Sequence, residues 1–234
     1  MDNIIHAKGI KKTYVSGEVE TPVLKGISLD VKRGEFLAIM GRSGAGKSTL
    51  MYQLSLLDEP TEGEIIVDGT DILNLSNSEK TEFRLRELGY VFQDYALVPE
   101  LTAIENVSMP ILMRGVAFRD AYERSKQVLN ELGLDRQINN LPSQLSGGEQ
   151  QRVSIARSIV DEPKIIFSDE PTANLDMESA RIVIDILKDL NKKGQTIVMV
   201  THEEEYGQEC DRIVRLVDGK IDSIDVPNKK KDVI

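Results

Sequence analysis

A chain of 234 residues, 40% hydrophobic and 29% charged, is long enough to bury a substantial core and has an ordinary globular composition. Its 39 acidic residues against 29 basic ones give a net charge of −10, which argues against a duplex-binding surface with its usual basic face. The single cysteine, Cys210, excludes an intrachain disulfide and fits a reducing cytosol, and His6 and His202 alone leave a structural zinc site without ligands. No apolar run approaches the ~18 residues that span a bilayer. Met1 to His6 lacks the pattern of a secretory signal.

Ile4 to Tyr14 and Leu24 to Val31 predict strands, separated by the polar loop Ser16-Gly17-Glu18 and by Pro22. Phe36 to Met40 is a continuous apolar run that suits a central parallel strand buried on both faces. A glycine-rich loop follows it, and Ser48 to Met51 opens a helix. Glu64 to Val67 and Gly89 to Phe92 predict further strands, the second ending at Gln93. From about Thr102 to Asp161 the pattern turns helical, with breaks expected at Pro110, Gly115, Gly133 and Pro142. Lys164 to Ser168 is another buried strand. Glu178 to Leu190 predicts an amphipathic helix with Ile182, Ile186 and Leu190 on its apolar stripe. Gln195 to Val200 predicts a strand, and Asp218-Gly219 predicts a hairpin turn between Ile213–Val217 and Lys220–Ile224. The basic tail, Lys229 to Lys231, reads as a solvated terminus, short of the ~4–8 basic residues of a lipid-binding cluster.

Gly41-Arg42-Ser43-Gly44-Ala45-Gly46-Lys47-Ser48 is a complete phosphate-binding loop between a buried strand and a helix. The glycines let backbone N–H groups approach phosphates, Lys47 reaches the β/γ oxygens and Ser48 can ligate Mg²⁺. Asp169-Glu170, delivered by Ile165 to Phe167 to the end of a core strand, suits a division of labour. Asp169 holds the metal, directly or through water, and Glu170 orients and deprotonates an attacking water. Ser146-Gly147-Gly148-Glu149 opens the helix that runs on through Val153 and Ile159. Ser146 and Glu149 are spaced as a capping box, while two glycines leave a helix end with bare N–H groups, an anion site.

Leu145-Ser146-Gly147-Gly148-Glu149-Gln150-Gln151-Arg152 resembles the signature sequence of the ATP-binding cassette (ABC) ATPases, and the resemblance spans about Ile4 to Ile224. It implies an α/β fold: a P-loop NTPase (RecA-like) core with an antiparallel β-subdomain and a helical subdomain. The core and β-subdomain would take residues 1–93 and 161–225, the helical subdomain about 94–160, and a short basic tail 226–234. By the same resemblance, Gln93 matches the glutamine that senses Mg²⁺ and the attacking water, and Ala173-Asn174-Leu175-Asp176 matches the D-loop of the dimer interface. His202 matches the switch histidine at the γ-phosphate. The phosphate loop, from Gly41 through Thr49, would bind ATP with Tyr14 stacked on adenine, although a strand-end tyrosine needs no ligand to explain it. Two departures stand out. Ser168 precedes the acidic pair where an apolar residue or Ala is usual, and Arg42 adds a cation that faces either solvent or the phosphates.

The resemblance further implies a homodimer formed on ATP binding, in which Ser146, Gly147 and Gly148 of one subunit meet the γ-phosphate held by the other. A separate integral membrane permease would place the subunit on the cytoplasmic face of the membrane, and no nucleic acid is expected. Thr21 to Leu29 and Leu101 to Pro110 resemble the branch of lipoprotein-releasing, macrolide-exporting and cell-division ATPases. The alternatives are soluble ABC proteins of DNA repair or translation. The former interrupt the cassette with long coiled coils or zinc modules, whereas the interval from Ser48 to Ser146 here holds no sustained heptads and no Cys cluster; the latter carry two cassettes and this chain carries one.

Overall fold

The structure, a computed structural model, describes residues 2–227; the Lys229–Lys231 tail lies outside them. In chain order, β1 (Asn3–Ser16) and β2 (Val19–Lys32) form a long antiparallel hairpin, followed by β3 (Phe36–Met40), α1 (Lys47–Leu54), β4 (Glu62–Val67), β5 (Thr70–Asp71) and α2 (Asn77–Glu87). Then come β6 (Leu88–Val91), α3 (Ala103–Met113), α4 (Phe118–Glu131), a 3₁₀ turn at Pro142–Gln144, α5 (Gly147–Ile159), β7 (Ile165–Asp169) and α6 (Met177–Lys192). The chain finishes with β8 (Thr196–Val200), α7 (Glu204–Gly207), β9 (Arg212–Val217) and β10 (Lys220–Asp225). It divides into two units, one built from Met1–Thr81 and Asn191–Ile234, the other from Glu82–Leu190.

In the first unit, β3 lies between β8 and β9 and is parallel to both. All five of its residues are buried, as the uninterrupted apolar run requires. β10 closes back on β9 through Asp218 and Gly219, both at positive φ (49° and 73°), the conformation a two-residue hairpin turn needs. A separate antiparallel sheet runs β2-β1-β4-β5. Along β2, Leu24, Ile27, Leu29 and Val31 are buried while Asp30 and Lys32 stay exposed, so one face packs and the other is solvated. Pro22 was expected between the strands but sits inside β2, opposite Thr13. β2 is an edge strand, and the register shifts between Lys12 and Thr13, so the missing N–H is tolerated.

In the second unit, β6 and β7 pair in parallel. Helices α3, α4 and α5 close on a cluster that includes Val107, Ile111, Ala121, Leu129, Val153 and Ala156. Gly115 (φ 81°) and Gly133 (φ 70°) follow the ends of α3 and α4 as expected. Pro110 does not break α3. It lies in the last turn, where one lost backbone bond is offset by burial of Val107 and Ile111 and by the Thr102–Glu105 capping box. α6 corrects the expected stripe: Ala180, Val183, Ile184 and Leu187 are buried, whereas Ile182 is 40% exposed. The sequence carries two apolar stripes on this helix, and spacing alone does not choose between them. Helix α2 was not anticipated, although Ser76 and Glu79 form the reciprocal bonds of a capping box at its start.

Candidate functional site

In the first unit the phosphate loop leaves the end of β3 and turns into α1. Gly46 occupies the N-cap at φ 94° and no side chain caps the helix, so its first N–H groups are not claimed by a side-chain cap. Gly41 has φ 150°, and a Cβ there would lie 2.4 Å from the carbonyl oxygen of Leu216. A Cβ on Gly44, at φ 79°, would meet nothing within 4 Å. The loop is therefore pinned against β9 at one glycine and open at another. Lys47 is buried and its ammonium donates to the Arg42 carbonyl at 3.4 Å, which draws the lysine back over the loop. Arg42 itself is exposed. Arg42, Arg215, Asp218 and Asp222 flank a hollow of about 430 Å³ between the outer face of the loop and the β9–β10 hairpin.

β8 brings His202 to the same sheet edge. Ile39 pairs with Val200, and Thr201 N–H donates to the Ile39 carbonyl at 3.2 Å, so the turn carrying the exposed His202 emerges beside the start of the loop. Tyr14, 43% exposed, donates to the Asp58 carboxylate at 2.8 Å, with the Lys12 ammonium 4.9 Å from its ring centre. Burial first, and then the Asp58 carboxylate, push its phenol pKa up. Thr49, in the helix after the phosphate loop, acts more weakly in the opposite sense.

In the second unit the parallel register sets Val91 opposite Ser168, so Gln93 and the Asp169-Glu170 pair leave neighbouring strands at one edge. Asp169 is buried, and Ser168, whose polarity was unusual in the sequence, is buried with no hydrogen-bond partner for its hydroxyl. Glu170 has φ 42° immediately before Pro171, a left-handed conformation costing ~1–2 kcal/mol for a non-glycine residue. Strain of this kind gathers where a side chain must be aimed rather than merely packed. Among the described residues no group of three or more His, Cys, Asp and Glu is placed to hold a metal ion. Mg²⁺ takes one or two protein carboxylates and completes its shell with water and substrate phosphates. Ser48, Gln93 and Asp169 are donors of the right hard-oxygen type.

The start of α5 forms the anticipated capping box. Ser146 N–H donates to Glu149 Oε2 at 2.8 Å, and Glu149 N–H returns a bond to Ser146 Oγ at 3.3 Å. The Ser146 N–H is the main cause holding the Glu149 carboxyl below its usual range. Both glycines also have packing reasons. A Cβ on Gly147 would lie 2.9 Å from the Tyr95 hydroxyl, and one on Gly148 would lie 2.7 Å from the Ser179 hydroxyl. Asp176 caps α6, accepting from the Ser179 N–H and hydroxyl, each at 2.9 Å. Asn174 donates to the Gln93 carbonyl and to Asp94, both at 3.2 Å. The signature, the D-loop and the loop after Gln93 thus meet within this unit. Tyr95, Arg157 and Ser179 had no mark in the sequence, since each sits in an unremarkable polar or helical context.

The comparisons agree with one another. Residues 24–173 match the family described as ABC transporter. The lipoprotein-releasing system ATP-binding protein LolD of Aquifex aeolicus is 48% identical over 221 residues, covering 94% of this chain and 97% of that one. The macrolide export ATP-binding/permease protein MacB of Bdellovibrio bacteriovorus is 47% identical over 220 residues, but the matched region spans only 34% of its length. Among solved structures, the dimeric post-hydrolysis state of the ATP-binding cassette MJ0796 bound to ADP and Pi superposes with a TM-score of 0.89 at 39% identity, covering 95% of this chain and 98% of that one. With a P-loop NTPase fold and a complete phosphate loop, the chain belongs to the ABC transporter family as an ATP-binding, ATP-hydrolysing subunit.

Proposed function

We propose that two copies of this chain close head-to-tail around two ATP molecules and that hydrolysis reopens them. Each site joins Lys47, Ser48, Gln93, Asp169, Glu170 and His202 of one subunit to Ser146, Gly147 and Gly148 of the other. The observation that carries this reading is the start of α5. Ser146 and Glu149 cap each other, while the two glycines keep their N–H groups free of side-chain bulk at the positive end of a 13-residue helix. Such an end suits a phosphate.

Lys47 and the loop N–H groups bind and orient the β- and γ-phosphates. Glu170 takes a proton from the attacking water, and its left-handed backbone sets the direction of its carboxylate. His202, on the strand beside the loop, contacts the γ-phosphate as it leaves. Mg²⁺ held by Ser48, Gln93 and Asp169 would neutralise charge on the phosphate oxygens. Tyr14 offers the adenine a ring whose hydroxyl is already anchored to Asp58. Asp176, at the start of α6, belongs to the dimer face.

Among the described residues no helix is long and apolar enough to cross a membrane. By its likeness to ATP-binding proteins of lipoprotein-releasing and macrolide-exporting systems, closure and reopening drive a separate integral permease from the cytoplasmic side of the membrane, for export, lipoprotein release or mechanical transmission. Helices α3, α4 and α5, with their own apolar cluster, form a helical subdomain of about residues 94–160 that receives the permease near Gln93 and residues 95–114. Glu170→Gln tests the shared site: the variant should bind ATP, fail to turn it over and sediment as a stable dimer. A variant that stays monomeric in saturating ATP overturns the reading.

A further inference from the structure

Tyr95 and Ala96 are consecutive non-glycine residues in the left-handed region, with φ of 60° and 50°. An isolated residue there is uncommon, and a pair persists only where its surroundings hold it. Arg157, in the last turn of α5, supplies that hold. One guanidinium nitrogen donates to the Ala96 carbonyl at 2.5 Å and the other to the Tyr95 carbonyl at 2.9 Å. The planar fork of arginine matches two adjacent carbonyls as a lysine ammonium does not. The Tyr95 ring meanwhile reaches the opposite end of the same helix, where its hydroxyl lies against Gly147. On the other flank, Asn174 fixes the Gln93 carbonyl.

We propose that Arg157 and Tyr95 are positioning residues that lock the loop carrying Gln93 to the signature helix, so that displacement of Ser146-Gly147-Gly148 moves the Gln93 amide. Tyr95 is the strut between the two ends of α5, and Arg157 is the clamp on its backbone. Burial lowers the guanidinium pKa of Arg157, in keeping with a cation whose role is internal. The inference rests on the reading of Gln93 as a metal-sensing residue.

The test uses the full chain with Arg157→Met, Arg157→Lys and Gln93→Ala. Two quantities are read: amide hydrogen exchange over residues 92–98 without nucleotide, and the Mg²⁺ concentration giving half-maximal ATPase. Arg157→Met should speed that exchange about 10-fold and raise the Mg²⁺ requirement about 3-fold, leaving ATP binding in EDTA unchanged. Arg157→Lys, which keeps the charge and serves if the methionine variant folds poorly, should fall between it and wild type. Gln93→Ala should raise the Mg²⁺ requirement alone, and adding Arg157→Met to it should raise it no further. Wild-type exchange in both Arg157 variants, or metal effects that multiply in the double variant, overturns the clamp. Faster exchange in Arg157→Met with no metal effect in Gln93→Ala removes the role given to Gln93 while supporting the clamp.

Discussion

Gly148 and Ser179 occupy the same small space: a Cβ on the glycine would lie 2.7 Å from the serine hydroxyl and 2.8 Å from its Cβ. Gly148→Ala should therefore destabilise the protein by about 1–3 kcal/mol through overpacking. Adding Ser179→Gly should restore much of that loss in urea unfolding. ATPase activity should not return, because the new methyl still crowds the helix end. Recovery of turnover in the double variant would assign the glycine to packing alone.

Ser146→Arg should block hydrolysis while leaving nucleotide binding to the monomer within about 2-fold of wild type, since the shared-site proposal assigns Ser146 to the nucleotide held by the partner subunit. Binding is measured with a fluorescent ATP analogue, and turnover by phosphate release. Full turnover would reduce Ser146 to its capping role.

The cap should also be sensitive to acid. The Ser146 N–H, and more weakly the Ser146 hydroxyl and Gln137, hold the Glu149 carboxyl below its usual range. A folded pKa lower than the unfolded one means that this stabilisation is complete above the ordinary carboxylate range, ~4.3, and declines as pH falls through it. The stability difference between wild type and Glu149→Gln, followed by urea unfolding, should accordingly be constant from pH 7 to pH 6 and shrink below about pH 4. A gap that widens on acidification contradicts the assignment.

The corrected face of α6 gives a paired test. Ile184 is fully buried and Ile182 is 40% exposed. Ile184→Ala should cost about 2–5 kcal/mol and Ile182→Ala less than about 1 kcal/mol, read from thermal or urea unfolding of the same preparation. Equal losses would contradict the burial pattern.

Much of the fold was legible because its signals were local and redundant. Phe36 to Met40 had no apolar-polar alternation to confuse it, and Asp218-Gly219 named its own turn. The capping boxes at Ser146 and Thr102 were written in four residues each, though only the first was recognised. What escaped depended on partners distant in sequence. Pro22 was acceptable because its strand proved to be an edge, and the buried side of α6 was decided by neighbours rather than by period. The site followed the same division. Motifs named the phosphate loop, the acidic pair and the signature. The contacts of Arg157 with Tyr95 and of Asn174 with Gln93, 62 and 81 residues apart, left no trace in composition or spacing.

The placement of β3 between β8 and β9 bears on the order in which the molecule is made. The strand that launches the phosphate loop is synthesised at residues 36–40, yet its two flanking strands lie at 196–200 and 212–217. Gly219, later still, donates its N–H to the Ala45 carbonyl inside the loop. A nascent chain therefore carries its nucleotide motif for most of its synthesis without the strands that shape it, and pairings of such long range close slowly. The loop therefore reaches the shape seen here only after the β9–β10 hairpin has paired against it.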